Sequence, residues 1–355
     1  MKCTLRTLTA GIAAATVAAV LAGPVAAQDI LVRYASPSAA SDPTQEATIW
    51  FTEEVTKRTD GRVKFEMYLG NSLVRDQDVM VAIGDGLVEM GKIYTVSYPG
   101  QLPLWNMFNL PFTSPSPYVA MNTIHELVDQ FQAFDEELAK LNVRALGVIA
   151  TGGTGIVAKQ PIKTVAELNG FKVRARGVQA AAFSAVGAAP VSIPWNDVYE
   201  ALSKGVVDGS TNYIITTRPI RHNEVSDYYI AAGLGQAIQL ELVNRDFWNA
   251  LPDDIKSIMT ETMAEAEQRY AERASKLAIE EREALAREAG PGRMEYIAFP
   301  AEERQKWIEA SPDFFAEWAA ANAGAADTAA IVETYKALEA KYTEKGKELG
   351  LVDMW

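Results

Sequence analysis

The chain has 355 residues, an apolar fraction of 48% and a formal net charge of −13 at pH 7. Such an acidic surface repels nucleic acid and anionic lipid head groups, so neither is expected as a partner. The only cysteine is Cys3, near the N-terminus, and this excludes a disulfide, a catalytic thiol or a cysteine-ligated metal from the rest of the chain.

Residues 1–27 predict a cleavable secretory signal peptide. Lys2 and Arg6 precede an apolar, alanine-rich run that ends in Pro24 and a small-residue cleavage site before Gln28. We therefore expect export to the periplasm. No later stretch has the length and apolarity of a membrane span, so direct membrane insertion is not expected. The remaining chain is long enough for two lobes, because single cores stop growing at about 250–300 residues.

The first half begins with an apolar strand, ILVRYASP (30–37), followed by an amphipathic helix at 50–59. The segment QLPLWNMFNLPF (101–112) predicts an irregular connection near a cleft. The segment VRALGVIATGGTGIVAK (143–159) predicts a strand, a glycine turn and a second strand, and marks the first crossing between lobes. Its TGGTG turn lacks the Lys-Ser/Thr and the helix that follow a phosphate-binding loop.

Two segments, 82–91 and 201–210, share one pattern: a helix end, a glycine that stops the helix, and a short strand. A further helix–glycine–strand unit precedes each of them, with its break at Gly61 or at Gly170. The repeated order predicts two α/β lobes of similar construction. A helix is also expected over 193–209, beginning at Pro194 or Asn196.

The segment GFKVRARG (170–177) alternates apolar residues with Lys172, Arg174 and Arg176, which predicts a strand with three cations on one face. We interpret Lys172 as solvated. Ligands of open α/β sheets bind beyond the carboxyl ends of the strands, where a guanidinium can clamp a carboxylate through two hydrogen bonds. One of the two arginines is expected to face the cleft, and the other to orient it or to pair with an acid.

Long helical patterns at 251–290 and 327–350 predict helices that brace both lobes. We assign lobe I to residues 28–150 with part of 236–355. Lobe II is assigned to residues 151–235 with part of 275–305. A monomer is expected, although the helical C-terminus leaves a dimer open.

The sequence gives little support for an enzyme. Beyond the leader it contains two histidines, His125 in a helical pattern and His222 in a charged loop or helix edge, and no HExxH or GxSxG motif recruits either. No cofactor and no metal are expected.

Three stretches resemble the DctP-type solute-binding proteins of tripartite ATP-independent periplasmic (TRAP) transporters. They are ELNGFKVRARG (167–177), VGAAPVSIPWNDVYEALSKGVVDGSTN (186–212) and WNALPDDIKSIM (248–259). Weaker matches are NLPF (109–112) and residues 68–91. The resemblance implies a two-lobed periplasmic-binding-protein fold of the α/β class, with a hinge, long bracing helices and a ligand cleft between the lobes. It also implies small and large integral membrane subunits as partners.

The resemblance implies Arg174 as the residue that binds the ligand's carboxylate, Trp195 as a pocket wall and Asn212 as a hydrogen-bonding residue. First-lobe contacts are implied near Ser36–Ser38, Arg75–Asp76 and Tyr94. Arg176 and Tyr213 complete the candidate set. Of the aromatic residues Trp195, Tyr213, Tyr94 and Trp105, only Trp195 is expected to pack the ligand's apolar part, because aromatics at such density more often belong to the core. The family often has R-V-P after the arginine and Q-E-N-P after D-G. This chain has Arg174-Ala175-Arg176 and Ser210–Tyr213 instead, so the ligand stays open.

The implied function is the capture of a small organic anion by closure of the lobes. A sulfonate and a zwitterionic sulfonium or betaine acid remain alternatives, since aromatic side chains attract cations. Two functions of other classes also remain: a binding protein that docks on a sensor, and a secreted enzyme with an unrecognised carboxylate site.

Overall fold

The structure is a computed structural model that describes residues 29–288 and 293–352. The expected signal peptide, residues 1–27, lies outside these ranges. Within them, no helix combines the length and the apolarity needed to cross a bilayer. In chain order the strands are β1 Ile30–Ala35, β2 Val63–Tyr68, β3 Met90–Tyr94, β4 Val143–Ala150, β5 Thr154–Ala158, β6 Lys172–Arg174, β7 Ala189–Val191, β8 Gly209–Tyr213, β9 Tyr228–Ala231, β10 Ile238–Asn244 and β11 Glu295–Ala298.

The helices alternate with these strands through most of the chain, as expected of an α/β protein. In chain order they are α1 Glu46–Arg58, α2 Val79–Gly84, α3 Pro117–Val128, α4 Ala133–Ala139, α5 Val178–Ala185, α6 Val198–Ser203, α7 Arg245–Ala250, α8 Asp253–Arg287, α9 Ala301–Ala310, α10 Phe314–Asn322 and α11 Thr328–Glu348.

The strands form two sheets, one in each lobe. The five-stranded sheet of lobe I has the order β2-β1-β3-β10-β4, and the six-stranded sheet of lobe II has the order β11-β9-β5-β8-β6-β7. In lobe I, β1 is parallel to β2 and β3, whereas β10 runs antiparallel to β3 and β4. In lobe II, β5 runs antiparallel to β8 and β9. The expected two-lobed α/β architecture is confirmed.

The sequence repeat corresponds to equivalent units of the two lobes. In lobe I, α2 ends before Gly86 and the chain enters β3; in lobe II, α6 ends before Gly205 and the chain enters β8. Each of these strands lies in the interior of its sheet. Both therefore bring the residues at their carboxyl ends to the middle of a lobe.

Two expected elements differ in extent from the structure. The strand in GFKVRARG covers only Lys172–Arg174, because its pairing with β7 and β8 ends at Arg174. The chain then turns at Gly177 into α5. Arg176 therefore follows the strand and does not belong to its face. The helix expected over 193–209 is a 3₁₀ turn, Trp195–Asp197, that leads into α6.

The lobes are joined by two adjacent linkers. Residues 151–153 connect β4 to β5, and residues 232–237 connect β9 to β10. The amide of Thr151 donates to the carbonyl of Ala237 at 3.1 Å, and the amide of Thr154 donates to the carbonyl of Gly235 at 2.8 Å. The paired linkers form a narrow hinge.

Helix α8 is the third connection and contacts both lobes. Near its start, Asp254 and Glu265 form ion pairs with arginines of lobe I at 2.6 and 2.7 Å. Near its end, Glu281 and Glu288 bind Arg218 of lobe II at 3.0 and 3.2 Å. The helix thus braces the hinge.

The chain after α8 returns to each lobe in turn. Trp307 of α9 is fully buried in lobe II and donates its indole N–H to the carbonyl of Ala182 at 2.7 Å. Helix α11 packs on α3 of lobe I, where Lys341 forms an ion pair with Glu126 at 2.6 Å.

Candidate ligand-binding site

A cavity lies between the two lobes beside the hinge. Its lining comes from lobe I, from lobe II and, through Ala237, from a linker; the other lining residues are Tyr94, Val96, Asn109, Arg174, Arg176, Gln179, Trp195 and Tyr213. The space between the lining atoms, its mouth included, is about 450 Å³. A site of this kind, concave and enclosed by two lobes, suits a small molecule.

Arg174 is the last residue of β6, and its side chain points away from the lobe II core that Val173 enters. Its Nε donates to the carbonyl of Ile193 at 2.9 Å, and its Nη1 lies 3.5 Å from the hydroxyl of Thr211. Across residues 29–288 and 293–352, Nη2 makes no hydrogen bond and no carboxylate forms an ion pair with this guanidinium. The residue is nevertheless only 5% exposed.

Burial lowers the pKa of Arg174 to about 10; the charge of Arg176 also lowers it, and Tyr213 opposes both. The guanidinium therefore remains charged at neutral pH. The face of Trp195 lies 5.5 Å from it and provides some compensation through a cation–π contact. A buried charge without an ionic partner is costly unless a ligand supplies the partner.

Arg176 is in a different situation, because lobe I provides its partner. Its Nη1 lies 3.2 Å from the carboxylate of Asp76, and its Nη2 donates to the hydroxyl of Ser97 at 3.1 Å. Ser97 in turn donates to Asp76 at 2.8 Å. These three residues, which we call the interlobe latch, connect the two lobes across the mouth of the cleft.

Lobe I contributes a buried polar network behind Tyr94. The Tyr94 hydroxyl is hydrogen-bonded to Ser38 at 2.9 Å. Lys92, fully buried on β3, donates to the carbonyl of Thr44 at 2.6 Å and lies 3.3 Å from Glu241 on the adjacent β10. Burial lowers the pKa of Lys92, and the Glu241 charge opposes this.

Asp42 belongs to the same network through Thr44. It accepts hydrogen bonds from the amide and hydroxyl of Thr44 at 2.9 and 2.8 Å. Burial raises the pKa of Asp42, while the hydrogen bonds from Thr44 and the charge of Lys92 lower it. The sequence patterns did not predict this network. A lysine within the otherwise apolar strand MGKIY was the available signal.

Trp195, at the start of the 3₁₀ turn before α6, packs between two rings of lobe II. Its centroid lies 5.4 Å from that of Tyr213 and 5.5 Å from that of His222. His222 is buried, and burial lowers its pKa to about 4, with the charge of Arg174 as a further cause. The imidazole is therefore neutral at pH 7, and it supports the Trp195 ring from behind.

Asn212 lies in β8 behind this wall and not in the cavity lining. Its side-chain amide donates to Nδ1 of His222 at 3.0 Å, which places the histidine proton on Nε2. Its carbonyl oxygen accepts from the Tyr213 amide at 2.6 Å and from the Thr216 hydroxyl at 2.8 Å. The structure thus departs from the expectation of a direct ligand contact, because the hydrogen-bonding groups of Asn212 are already used within lobe II.

The structure brings together five of the expected site residues in the cavity lining. They are Arg174, Arg176, Trp195, Tyr213 and Tyr94. Asp76 lies next to the cavity and acts on it through Arg176.

Two other expected contacts, Ser36 and Arg75, lie elsewhere, and so does the aromatic residue Trp105. Ser36 donates to Gln45 within lobe I at 3.0 Å. Arg75 is 87% exposed and pairs with Asp78. Trp105 is buried in lobe I and donates to the carbonyl of Phe134. These residues lie close in the sequence to residues of the cleft, but their side chains point elsewhere.

Two polar residues of the cavity lining were not predicted from the sequence. Asn109 lies within the irregular connection, donates to the Thr95 hydroxyl at 2.7 Å and accepts from the Ile238 amide at 3.0 Å. Gln179 lies in the first turn of α5. Asn109 begins the NLPF segment, so its neighbourhood was identified but its role was not.

The chain is similar over most of its length to known binding proteins. A family profile described as bacterial extracellular solute-binding protein, family 7 (DctP), matches residues 34–322. The C4-dicarboxylate-binding periplasmic protein DctP of Rhodobacter capsulatus is 29% identical over 86% of this chain and 91% of its own length.

Solved structures show the same fold. A TRAP solute-binding protein from Rhodoferax ferrireducens T118, in complex with benzoate, has a TM-score of 0.79 and 22% identity, covering 89% of this chain and 99% of its own. A Bordetella pertussis extracytoplasmic solute receptor binding pyroglutamic acid has a TM-score of 0.78 and 22% identity, covering 86% and 99%. With the family match, the two sheets and the cleft between them, the chain belongs to the DctP family of bacterial extracellular solute-binding proteins, the solute-binding proteins of TRAP transporters.

Proposed function

We propose that this protein captures a small organic anion in the interlobe cleft and delivers it to the small and large membrane subunits of a TRAP transporter. The ligand's carboxylate pairs with Arg174. The single observation that carries the proposal is the buried guanidinium of Arg174, which lies in the cavity wall without an ionic partner in the described part of the chain. The protein acts in the periplasm after removal of its leader.

The hydrogen bonds around Arg174 fix its orientation while leaving donors for a ligand. Ile193 holds Nε, and Thr211 lies beside Nη1, so the guanidinium plane is positioned by lobe II alone. Nη2 is the open position. A carboxylate bound there forms charge-assisted hydrogen bonds, which are about twice as strong as neutral ones.

Closure of the lobes follows from the position of the lining residues. Tyr94, Val96 and Asn109 belong to lobe I, whereas Arg174 and Trp195 belong to lobe II. A ligand held by Arg174 gains its remaining contacts only when lobe I approaches. Binding therefore shifts the equilibrium toward the closed form, in which the interlobe latch is made.

The relatives support an acid as the ligand, but they do not indicate its size, its ring content or its number of charges. The names of the proteins compared above mention C4-dicarboxylates, benzoate and pyroglutamic acid. These molecules share a carboxylate and differ in size, ring content and number of charges. The shared group is the one that Arg174 is placed to bind.

The test compares Arg174→Gln with Lys172→Gln, a matched loss of one charge from the same strand at an exposed position. A thermal-shift screen of small carboxylates, sulfonates and betaines identifies the ligand of the unmodified protein. Calorimetry with that ligand should show a loss of roughly 30-fold or more in affinity for Arg174→Gln, because a buried carboxylate loses its charged partner. Lys172→Gln should bind normally.

Near-normal affinity of Arg174→Gln for the ligand would contradict the proposal. A sulfonate or a betaine giving the largest thermal shift, with no response to carboxylates, would favour the alternative ligand classes. Turnover of any of these acids would instead indicate an enzyme.

A further inference from the structure

Two arginines line the cavity. Both are positively charged, but only one of them is paired with a carboxylate of the protein. Arg176 is paired with Asp76 at 3.2 Å, and both side chains are largely buried, at 13% and 12% exposure. Arg174 has no ionic partner among the described residues. The cavity thus presents one uncompensated positive charge, although its lining contains two cations.

No other described cation near the cavity is available to a second acid group. The ammonium of Lys92 is fully buried and is held by Glu241 and the Thr44 carbonyl. Asp42, 3% exposed, adds a further carboxyl group in the buried lobe I network behind Tyr94. The remaining lining side chains are uncharged. The surroundings of the cavity therefore disfavour a second negative charge.

We propose that this cavity selects acids that carry a single negative charge over dicarboxylates, and that Asp76 is the residue that sets this preference by neutralising Arg176. The inference rests on the proposed function and deepens it, since it adds the charge class of the ligand to the role of Arg174.

The physical reason is the competition for Arg176. A second ligand carboxylate must either displace Asp76 from Arg176 or remain unpaired in a cavity that excludes water, and both outcomes are unfavourable. Displacement has an additional consequence, because Asp76 belongs to lobe I and Arg176 to lobe II. It would break the interlobe latch at the moment when closure requires it.

The experiment uses pairs of acids of equal size that differ by one charge. Succinate is compared with succinamate, glutarate with glutaramate, and terephthalate with 4-carbamoylbenzoate, each by calorimetry at pH 7.5. For pairs in which either member binds, the unmodified protein should bind the monoamide at least about tenfold more tightly than the dicarboxylate. In Asp76→Asn the ratio of the two affinities should move by roughly tenfold toward the dicarboxylate, because Arg176 becomes available.

Asp78→Asn is the matched control. It removes one carboxylate two residues away, at a side chain that is 53% exposed and paired with Arg75 outside the cavity. It should leave the ratio unchanged. The ratio is the readout because any loss of closure in Asp76→Asn weakens both members of a pair alike.

A dicarboxylate that binds the unmodified protein more tightly than its monoamide would overturn the inference, whatever the variants show. An equal change of ratio in Asp76→Asn and Asp78→Asn would remove Asp76 as its cause. If no acid of either charge class binds, in these pairs or in the earlier screen, the proposed function itself fails, and this result is distinct from the other two.

Discussion

Arg174 and Arg176 show how little of a residue's role follows from its type. Both are arginines, two positions apart in one segment, yet one is held by lobe II alone and the other is bound by lobe I. The sequence predicted that one would face the cleft and that the other would either orient it or pair with an acid. It did not identify Asp76 as that acid, because the pairing joins residues 100 positions apart through the contact of two lobes.

The buried histidine of the cavity wall makes the stability depend on pH. The folded-state pKa of His222 is lowered to about 4, whereas an unfolded histidine titrates near 6.5. Between these values the unfolded chain binds more protons, so the free energy of unfolding falls as the pH falls from about 6.5 to about 4. The full effect corresponds to about 3 kcal/mol.

This effect is measured by urea unfolding at pH 7.5 and pH 4.5 for the unmodified protein and for His222→Gln. The variant should lose less stability on acidification, because the proton-binding difference is gone. His125 does not disturb the comparison. Burial lowers its pKa, but Glu267 outweighs this and raises it, so its stabilising contribution is present at low pH and is lost at higher pH. The unmodified protein and His222→Gln both retain this contribution of His125, so it cancels in the comparison. Equal losses in both proteins would contradict the assignment.

At the scale of elements, the helix–glycine–strand repeat was readable because it depends on local chemistry. Helix stops and strand alternation act within about ten residues, and the sequence carries them directly. The length of β6 could not be predicted from the sequence. Alternation continues through Arg176, but pairing with β7 and β8 ends earlier, and only the sheet determines where a strand stops.

The side chains that face the cavity were the hardest to predict. Asn212 and Tyr213 are neighbours on β8, yet Tyr213 lines the cavity and Asn212 is buried behind it. A shift of one residue reverses the face of a strand. The Lys92–Glu241 pair was likewise not predictable, because it joins β3 to β10 between residues 149 positions apart.

The turn between β6 and α5 offers a test of closure. Gly177 has a φ of +55°, and a β-carbon at this position would lie 2.7 Å from Val96 of lobe I. Gly177→Ala should therefore hold the lobes apart and weaken ligand binding by roughly tenfold, as expected of overpacking at a contact. Calorimetry with the ligand found in the screen measures this.

Gly170→Ala is the matched control, because Gly170 also has a positive φ, +76°, but has no atom within 4 Å of the added carbon. Gly170→Ala therefore also places an alanine at a positive φ, but it makes no contact equivalent to the one with Val96. The double variant Gly177→Ala with Val96→Ala should regain part of the affinity. If Gly170→Ala weakens binding as much as Gly177→Ala, the contact with Val96 is not the cause.

At the scale of the whole molecule, the site exists only when both lobes contribute to it. The latch residues Asp76 and Ser97 belong to lobe I, and Arg176 belongs to lobe II. Without ligand, the hydration of Arg174 favours separation of the lobes, because the closed form buries this charge without an ionic partner. A bound acid supplies that partner.

We therefore expect the ligand to reduce the radius of gyration measured by small-angle X-ray scattering, from a value of about 20 Å for a chain of this size. Arg174→Gln should show no such decrease at the same ligand concentration. A ligand that binds the unmodified protein by calorimetry without any decrease in the radius would contradict capture by closure.

Helix α8 spans 35 residues, from its ion pairs with lobe I to those with Arg218 of lobe II. At 1.5 Å per residue it is about 52 Å long. A rod of that length acts as a lever: each degree of tilt about its first turn displaces its last turn by about 0.9 Å. Rotations of a few degrees at the hinge therefore displace the last turn of α8 by several ångströms relative to lobe I.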